Sequence, residues 1–338
     1  MKRWLLISAV GIAVFGAAAT YLVLWAPNTF ENDRFILVSK GESFSQVLTS
    51  LENAGAIRSR LLFSVAGRVL DLTTKMQIGK YRIKSGMSNK EILEDLREGK
   101  TTELISVVVR EGLWAVRQAK LFVKNLGIDS ARFMNLVRDT ALTRKYNIPA
   151  STFEGYLLPN TYKFYWQADE VQIITAMVNE FWLVFNDSLQ TIARKKGKSI
   201  HEIVTLASIV EMETSVDSER AIIAGVYANR LRKNMRLEAD PTVEYVLEDG
   251  PRRLHYSDLQ RESAYNTYLH RGLPPGPINN PGKASIYAAL SPLKSKYLFF
   301  VANGQGGHTF TKTYEEHLKA VRHLRKLRAE QQATKEEG

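Results

Sequence analysis

The longest apolar stretch of this chain stands at its beginning. An uncharged run from Trp4 to Phe30 follows two basic residues and is strongly apolar as far as Trp25. A helix of about 20 apolar residues can cross a bilayer, so residues 1–30 predict a basic tip and one membrane-spanning anchor. Because basic residues favour the cytoplasmic side, we expect the N-terminus in the cytoplasm and the remaining chain across the membrane.

A cleaved signal peptide is the alternative for the same run. Ala17, Ala18 and Ala19 offer small residues for a cleavage site after a short apolar stretch. The apolar run nevertheless continues through residues 21–25 and ends on an aromatic residue, which is typical of a retained anchor. We therefore predict an anchor, and a cleaved leader stays open.

A short pattern of apolar strand, glycine turn and helix follows the anchor and is repeated. Gly41 and Ser43 precede apolar residues at helical spacing, Gly86 and Ser88 do the same, and a looser third copy comes next. Serine in this place caps a helix N-terminus, so each copy predicts a strand, a turn and a helix. The region, residues 31–104, resembles small LysM-like glycan-binding domains, with an ordinary α+β spacer domain as the alternative.

A buried helix is predicted after Ser199. Ser199 and Glu202 match a capping box, and the residues that follow are apolar nearly all round. Glu211 arrives after three turns, on a stripe of apolar or small residues. Since desolvation disfavours a carboxylate, we expect Glu211 to stay protonated near neutral pH and to donate a proton. A structural ion pair or an exposed helix end is the alternative, and Glu213, on another face, is the weaker candidate.

Composition narrows the possible functions. The 338 residues are 45% hydrophobic and 24% charged, which predicts an ordered α+β protein, and the net charge of +11 calls for an anionic partner. An anchor argues against nucleic acid and leaves acidic lipid or a carboxylate-bearing polymer such as peptidoglycan. The chain has no cysteine and no phosphate-binding loop, and the pair His201-Glu202 lacks the histidine that a metalloprotease motif needs at position 205. We therefore expect neither a metal nor a cofactor.

Ten short blocks are spread over the chain after the repeat region. In chain order they are residues 154–162, 206–214, 229–231, 235–237, 240–242, 264–268, 272–276, 281–282, 297–302 and 306–310. In this order the blocks resemble the endolytic murein transglycosylase (YceG-like) family. Asn160 departs from the family pattern, in which aspartate is common, so no essential role is assigned to it.

The resemblance implies a lyase that cuts peptidoglycan strands between N-acetylmuramic acid and N-acetylglucosamine and leaves 1,6-anhydro ends. Glu211 would be its acid and base. It further implies an inner-membrane protein with a periplasmic catalytic domain, peptidoglycan synthases as partners, and a role in ending nascent strands. Residues 105–330 would form this domain from helices and an antiparallel sheet, with residues 331–338 as a tail.

Polar and aromatic residues of these blocks suit a sugar, because rings cover its C–H faces while amides, hydroxyls and charged groups bond its hydroxyls. Structural roles stay open for them: core packing in residues 152–164, a turn at Asp240, a salt bridge at Arg230 and a plain hairpin at His308. The predicted substrate-binding residues are Glu154, Tyr156, Arg230, Asp240, Thr242, Tyr265, Asn266, Thr267, Tyr268 and His308.

Two other functions stay open. A membrane-anchored scaffold could bind peptidoglycan without cutting it, and a hydrolase could use water and leave reducing ends. A scaffold would tolerate the change Glu211→Gln, whereas a transglycosylase that relies on Glu211 would lose turnover and keep its fold.

Overall fold

A computed structural model describes residues 2–74, 76–247 and 252–336. The chain forms helices and three small two-stranded sheets, as the α+β prediction requires. It divides into two compact units, the first made of Met1–Val107, Phe122–Ile128 and Lys163–Asp169, and the second of Val108–Leu121, Asp129–Tyr162 and Glu170–Gly338.

The first part of the chain contains the anchor candidate and both clear copies of the repeat. Helix Arg3–Leu24 is long and apolar enough to cross a membrane, with a mean hydropathy of 2.1, which is consistent with a single-pass anchor. Its elements in chain order are α1 (Lys2–Leu24), β1 (Arg34–Val38), α2 (Phe44–Asn53), α3 (Arg60–Val69), β2 (Gly79–Ile83), α4 (Asn89–Glu98) and β3 (Ile105–Val108).

The predicted strand, turn and helix repeat is confirmed in this unit. Ser43 caps α2 and Ser88 caps α4, each in a complete capping box. Gly41 and Gly86 have φ angles of 81° and 94°, which an L side chain would strain. Strands β1 and β2 pair antiparallel, and their inward residues join α2, α3 and α4 in one apolar core. Glycan binding by this β1-α2-α3-β2-α4 unit stays a prediction.

The remaining elements lead to the residues of chemical interest. Strand β3 pairs with β4, and β5 pairs antiparallel with β6. In chain order they are α5 (Ala115–Leu126), α6 (Ser130–Val137), α7 (Thr140–Lys145), β4 (Thr161–Phe164), α8 (Glu170–Val184), α9 (Asp187–Lys195), α10 (Ile200–Glu213), α11 (Asp217–Arg232), α12 (Asp240–Glu244), a 3₁₀ turn (Asp258–Gln260), α13 (Lys283–Leu290), β5 (Phe299–Ala302), β6 (His308–Thr311) and α14 (Tyr314–Glu336).

Helix α10 is the buried centre of the second unit, as its sequence predicts. The capping box of Ser199 and Glu202 is formed, and every residue from Ile203 to Val210 is buried. Helices α11 and α13 pack against it. On α11, Gly225 allows the segment after α13 to approach closely, because a Cβ there would lie 2.4 Å from the carbonyl oxygen of Leu293. Helices α11 and α13 thus surround the C-terminal part of α10.

A hairpin and a long helix form the C-terminal part of the described chain. The glycine-rich segment before His308 is the turn of the β5-β6 hairpin, in which Ala302 lies opposite His308. Helix α14 follows and continues into the predicted tail as far as Glu336. Of that tail, Glu337 and Gly338 lie outside the described residues.

Candidate active site

Two glutamates end α10, and they project on different faces. A helix turns about 100° per residue, so Glu211 and Glu213 are about 200° apart around the axis. Thr214 then leaves the helix in an extended conformation. Each glutamate consequently meets its own set of neighbours, supplied by elements that come later in the chain.

Glu211 is held in a buried ion pair. Its side chain is 5% exposed, and the Arg220 guanidinium of α11, 6% exposed, lies 3.0 Å from one carboxyl oxygen. The backbone N–H of Gly282, at the N-terminus of α13, donates to the other oxygen over 2.8 Å. Both oxygens of Glu211 are therefore occupied by donors of the protein.

Arg220 extends this contact into a network. Its Nη1 donates to Ser285 Oγ over 2.6 Å, and its Nε donates to Asp217 over 3.0 Å. Glu111 lies 3.9 Å away on the solvent side, where burial and the nearby charge of Glu211 raise its pKa. The network ties α10, α11 and α13 together, which matches the ion-pair alternative for Glu211.

Glu213 instead lines a polar cavity of about 280 Å³. The Tyr227 hydroxyl of α11 donates to its Oε1 over 2.5 Å. Burial raises the pKa of Glu213 to about 7, and the negative charges of Asp240 and Glu244 act in the same direction. A carboxyl group with such a pKa exchanges protons near neutral pH, as a general acid and base must.

Three residues predicted to bind substrate line the same cavity as Glu213. They are Arg230, Asp240 and Tyr268. The Tyr268 hydroxyl donates to Asp240 Oδ1 over 2.5 Å and fixes this exposed carboxylate at the cavity wall. Arg230 donates to backbone carbonyls of Leu298 and Leu237, so it also holds the wall in place.

Arg230 has an acidic partner within the protein. It lies 3.2 Å from Glu238, not against Asp240. The salt-bridge alternative for Arg230 thus describes the contact that the structure contains.

Three other predicted residues are buried with their polar groups bonded inside the protein. Thr242 and Thr267 share a hydrogen bond of 2.9 Å, and the backbone N–H of Ala239 donates to Thr267. The amide of Asn266 donates to the carbonyls of Leu259 and Arg261. These side chains hold α12 and the loop after it, and their geometry does not support a direct contact with a sugar.

Glu154 lines a second cavity, together with Tyr245. Its carboxyl accepts from the backbone N–H of Ala115 over 3.0 Å and from the Asn280 amide over 2.8 Å. Burial raises the pKa of Glu154 to about 7. Asn280 also accepts from the N–H groups of Gly155 and Leu157 and donates to the Leu113 carbonyl. The carboxyl is thus one member of a structural network that faces a cavity.

Tyr156, Tyr265 and His308 have separate surroundings. Tyr156 is fully buried, with its hydroxyl 2.9 Å from His201 Nδ1, in agreement with the core-packing alternative. Tyr265 packs against Tyr245, with their ring centroids 5.0 Å apart. His308 Nδ1 lies 2.7 Å from Glu219 and attaches the β5-β6 hairpin to α11.

Comparison with known proteins identifies the family to which the chain belongs. The model of the YceG-like family matches residues 36–323, and the chain belongs to this family. The endolytic murein transglycosylase of Bacillus subtilis is 33% identical over 300 residues, which cover 84% of this chain and 83% of that protein. Its namesake in Streptococcus pneumoniae is 26% identical, over 82% of this chain and 56% of the longer relative.

A solved structure agrees with the assignment. The crystal structure of a yceG-like protein from Listeria monocytogenes superposes with a TM-score of 0.63 at 33% identity, over 85% of this chain and 98% of that one.

Proposed function

We propose that this chain is an endolytic lytic transglycosylase that cuts the bond between N-acetylmuramic acid and N-acetylglucosamine, with Glu213 as its acid and base. The observation that carries the assignment is the position of Glu213: a carboxyl group with a pKa of about 7 at the wall of a polar cavity. The names of its relatives support peptidoglycan as the substrate. No metal or cofactor takes part.

In the proposed reaction, neutral Glu213 protonates the glycosidic oxygen as the bond to C1 of the muramic acid breaks. The sugar passes through an oxocarbenium-like state. The Glu213 carboxylate then takes the proton of the C6 hydroxyl of the same sugar, whose oxygen closes on C1 to give a 1,6-anhydro end. Glu213 regains its proton, and because the nucleophile is intramolecular, no second catalytic carboxylate is needed.

The cavity around Glu213 suits the charges of this reaction. Asp240 presents a carboxylate fixed by Tyr268, and a fixed negative charge stabilises a developing oxocarbenium ion. The hydrogen bond from Tyr227 orients the Glu213 carboxyl. Proton transfer, positioning and charge stabilisation would then come from residues that line one cavity.

Glu211, the acid predicted from the sequence, stays the alternative. Its two carboxyl oxygens accept from Arg220 and Gly282. A proton donor in this position would first have to leave a buried ion pair, which is costly. We therefore assign Glu211 a structural role and test both glutamates together.

The setting proposed for the enzyme follows from α1 and the repeat unit. Helix α1 would anchor the chain with its N-terminus in the cytoplasm, and the catalytic unit would lie in the periplasm. A LysM-like unit next to the anchor would hold glycan, and peptidoglycan synthases would supply nascent strands for the enzyme to end.

The test compares products from the full-length protein and from two matched variants, Glu213→Gln and Glu211→Gln. Each protein, purified in detergent, is incubated with uncrosslinked glycan, and fragments are identified by mass spectrometry. We expect 1,6-anhydro ends from the wild type and from Glu211→Gln in proportion to its folded fraction, and none from Glu213→Gln. An inactive but folded Glu211→Gln beside an active Glu213→Gln would return the catalytic role to Glu211.

The same experiment separates the two other functions. Reducing ends in place of anhydro ends would identify a hydrolase. Binding of glycan without cleavage by any of the three proteins would identify a scaffold.

A further inference from the structure

A second cavity lies at the other end of α12 from Asp240, within the same unit as Glu213. It has a volume of about 240 Å³, and we name it the Trp114 cavity. The side chains that carry its chemistry are Trp114, Met134, Val137, Arg138, Glu154 and Tyr245. None of these residues lines the cavity around Glu213.

Two aromatic rings line the cavity. Trp114 meets Tyr245 edge to face, with ring centroids 5.6 Å apart and ring planes at 84°. Both residues are partly exposed, and the Arg117 guanidinium lies over the Trp114 ring, 5.3 Å from its centroid. A partly exposed ring can pack against the C–H side of a sugar.

Arg138 adds a cation to this surface. It follows α6 directly, and its side chain is exposed. Among the residues that the structure describes, no carboxylate pairs with its guanidinium, whereas Arg220 and Arg230 of the same unit are both bonded to carboxylates. A guanidinium of this kind can bind a carboxylate through two parallel hydrogen bonds.

Helix α12 connects the two cavities. Asp240, its first residue, lines the cavity around Glu213, and Tyr245, directly after its end, lines the Trp114 cavity. Five residues of α-helix rise about 7.5 Å. Asp240 and Tyr245 are therefore separated by about 7.5 Å along the helix axis, a distance that a chain of linked sugars can span.

We propose that the Trp114 cavity is a subsite for a further sugar unit of the glycan strand, one that bears a carboxylate on its lactyl group or peptide stem. The rings of Trp114 and Tyr245 bind the sugar face, and Arg138 binds the carboxylate. This inference rests on the proposed function, since it assumes a glycan as the ligand. It assigns Trp114, Arg138 and Tyr245 roles that the sequence motifs do not indicate.

The test measures binding apart from turnover. Full-length protein carrying Glu213→Gln is titrated calorimetrically with uncrosslinked glycan and with the same glycan after its carboxylates are blocked as methyl amides. Arg138→Gln is added to this protein, and Arg144→Gln, an equal change of charge on exposed α7 outside the cavity, is the matched control. Thermal melting confirms that each variant is folded.

We expect Arg138→Gln to weaken binding of the carboxylate glycan about tenfold, in line with one charged hydrogen-bonded contact, and to leave the blocked glycan unaffected. Trp114→Ala should weaken binding of both glycans. Equal affinities of Arg138→Gln and Arg144→Gln for both glycans would overturn the proposal. Anionic lipid vesicles are titrated in parallel. If Arg138→Gln weakens binding to the vesicles but not to the glycan, the result would also overturn the proposal, in favour of a membrane contact.

Steady-state kinetics with active protein separates this proposal from the proposed function. A subsite residue raises KM and leaves kcat nearly unchanged, so Arg138→Gln should show this split. If Glu213→Gln still cuts glycan while Arg138→Gln binds it more weakly, the catalytic assignment fails and the subsite stands.

Discussion

Glu211 and Glu213 are separated by one residue on α10 and have opposite surroundings. Glu211 faces a guanidinium and a backbone N–H, and its side chain is closed off. Glu213 faces a tyrosine hydroxyl, two further carboxylates and a cavity that holds polar side chains. The contacts of Glu211 hold helices α10, α11 and α13 together. Glu213, with a pKa of about 7, can gain and lose a proton near neutral pH.

The difference shows how neighbours decide the chemistry of a carboxyl group. Burial is common to both glutamates, so burial alone does not distinguish a catalytic acid from a structural anion. The nearest partner differs: Glu211 lies 3.0 Å from a guanidinium, which stabilises a carboxylate, whereas Glu213 lies 2.5 Å from a neutral tyrosine hydroxyl. Four experiments test the difference between the two glutamates.

The largest expected effect is on turnover in Glu213→Gln. A glutamine cannot deliver a proton, and general acid-base catalysis contributes about 10²- to 10⁴-fold. We expect kcat to fall by about 10³-fold, with a melting temperature equal to or above that of the wild type. Rates of anhydro-product release and thermal melting measure the two quantities; an unchanged kcat would remove Glu213 from the mechanism.

The next effect is on stability in Glu211→Gln. Loss of one partner from a buried ion pair leaves the other charge uncompensated and costs about 3–5 kcal/mol. We expect the free energy of unfolding to drop by this order in denaturant titrations. The double variant Glu211→Gln/Arg220→Gln should recover part of the loss, because it removes the stranded charge. Full stability in the single variant would contradict the ion-pair role.

A third experiment uses pH. Glu213 donates a proton only below its pKa of about 7, so kcat/KM should fall about tenfold per unit as pH rises beyond 7. The folded-state pKa lies above the ordinary 4.5, so the stabilisation from the neutral group is present below pH 4.5 and lost as pH rises to 7. Glu154 has a similar pKa, and Glu154→Gln is the control. A rate profile that loses its fall in Glu154→Gln would assign the titration to Glu154 instead.

The smallest expected effect comes from Tyr268→Phe. This change removes the hydroxyl that holds Asp240 and keeps the ring in place. Asp240 is exposed and can bond water instead, so we expect stability to change little. A carboxylate that is held less firmly should lower kcat/KM about tenfold. Arg236→Gln, an exposed change nearby that lines neither cavity, is the control. A loss in the control as large as that in Tyr268→Phe would remove Asp240 from the reaction.

The sequence predicted those parts of the fold that depend on near neighbours. Ser43 and Ser88 cap their helices through contacts three residues away, so the repeat is recognisable from local sequence. The capping box at Ser199 and the buried face of α10 follow from the same kind of local pattern. The family was recognisable because its motifs are short and lie in a fixed order.

The roles of the two glutamates depended on partners far along the chain. Helical spacing placed Glu211 on an apolar stripe. It could not reveal that Arg220 of α11 and the backbone N–H of Gly282, before α13, donate to the Glu211 carboxyl. The environment of Glu213 likewise comes from Tyr227 and Asp240. For Trp114, no local pattern indicated that its ring would meet Tyr245, 131 residues later.

Asn280 has a consequence for the order in which the protein matures. Its amide joins the carbonyl of Leu113, the carboxyl of Glu154 and the N–H groups of Gly155 and Leu157, across separations of 123 to 167 residues. Contacts of such long range form late, since the intervening chain must first be made and ordered. A growing chain can therefore fold helix α1 and the repeat unit well before the contacts of Asn280 form. We expect the proposed peptidoglycan cleavage to be absent while the chain is being synthesised. Nascent chains arrested before Asn280 should be cut by protease near Glu154 and should release no glycan product.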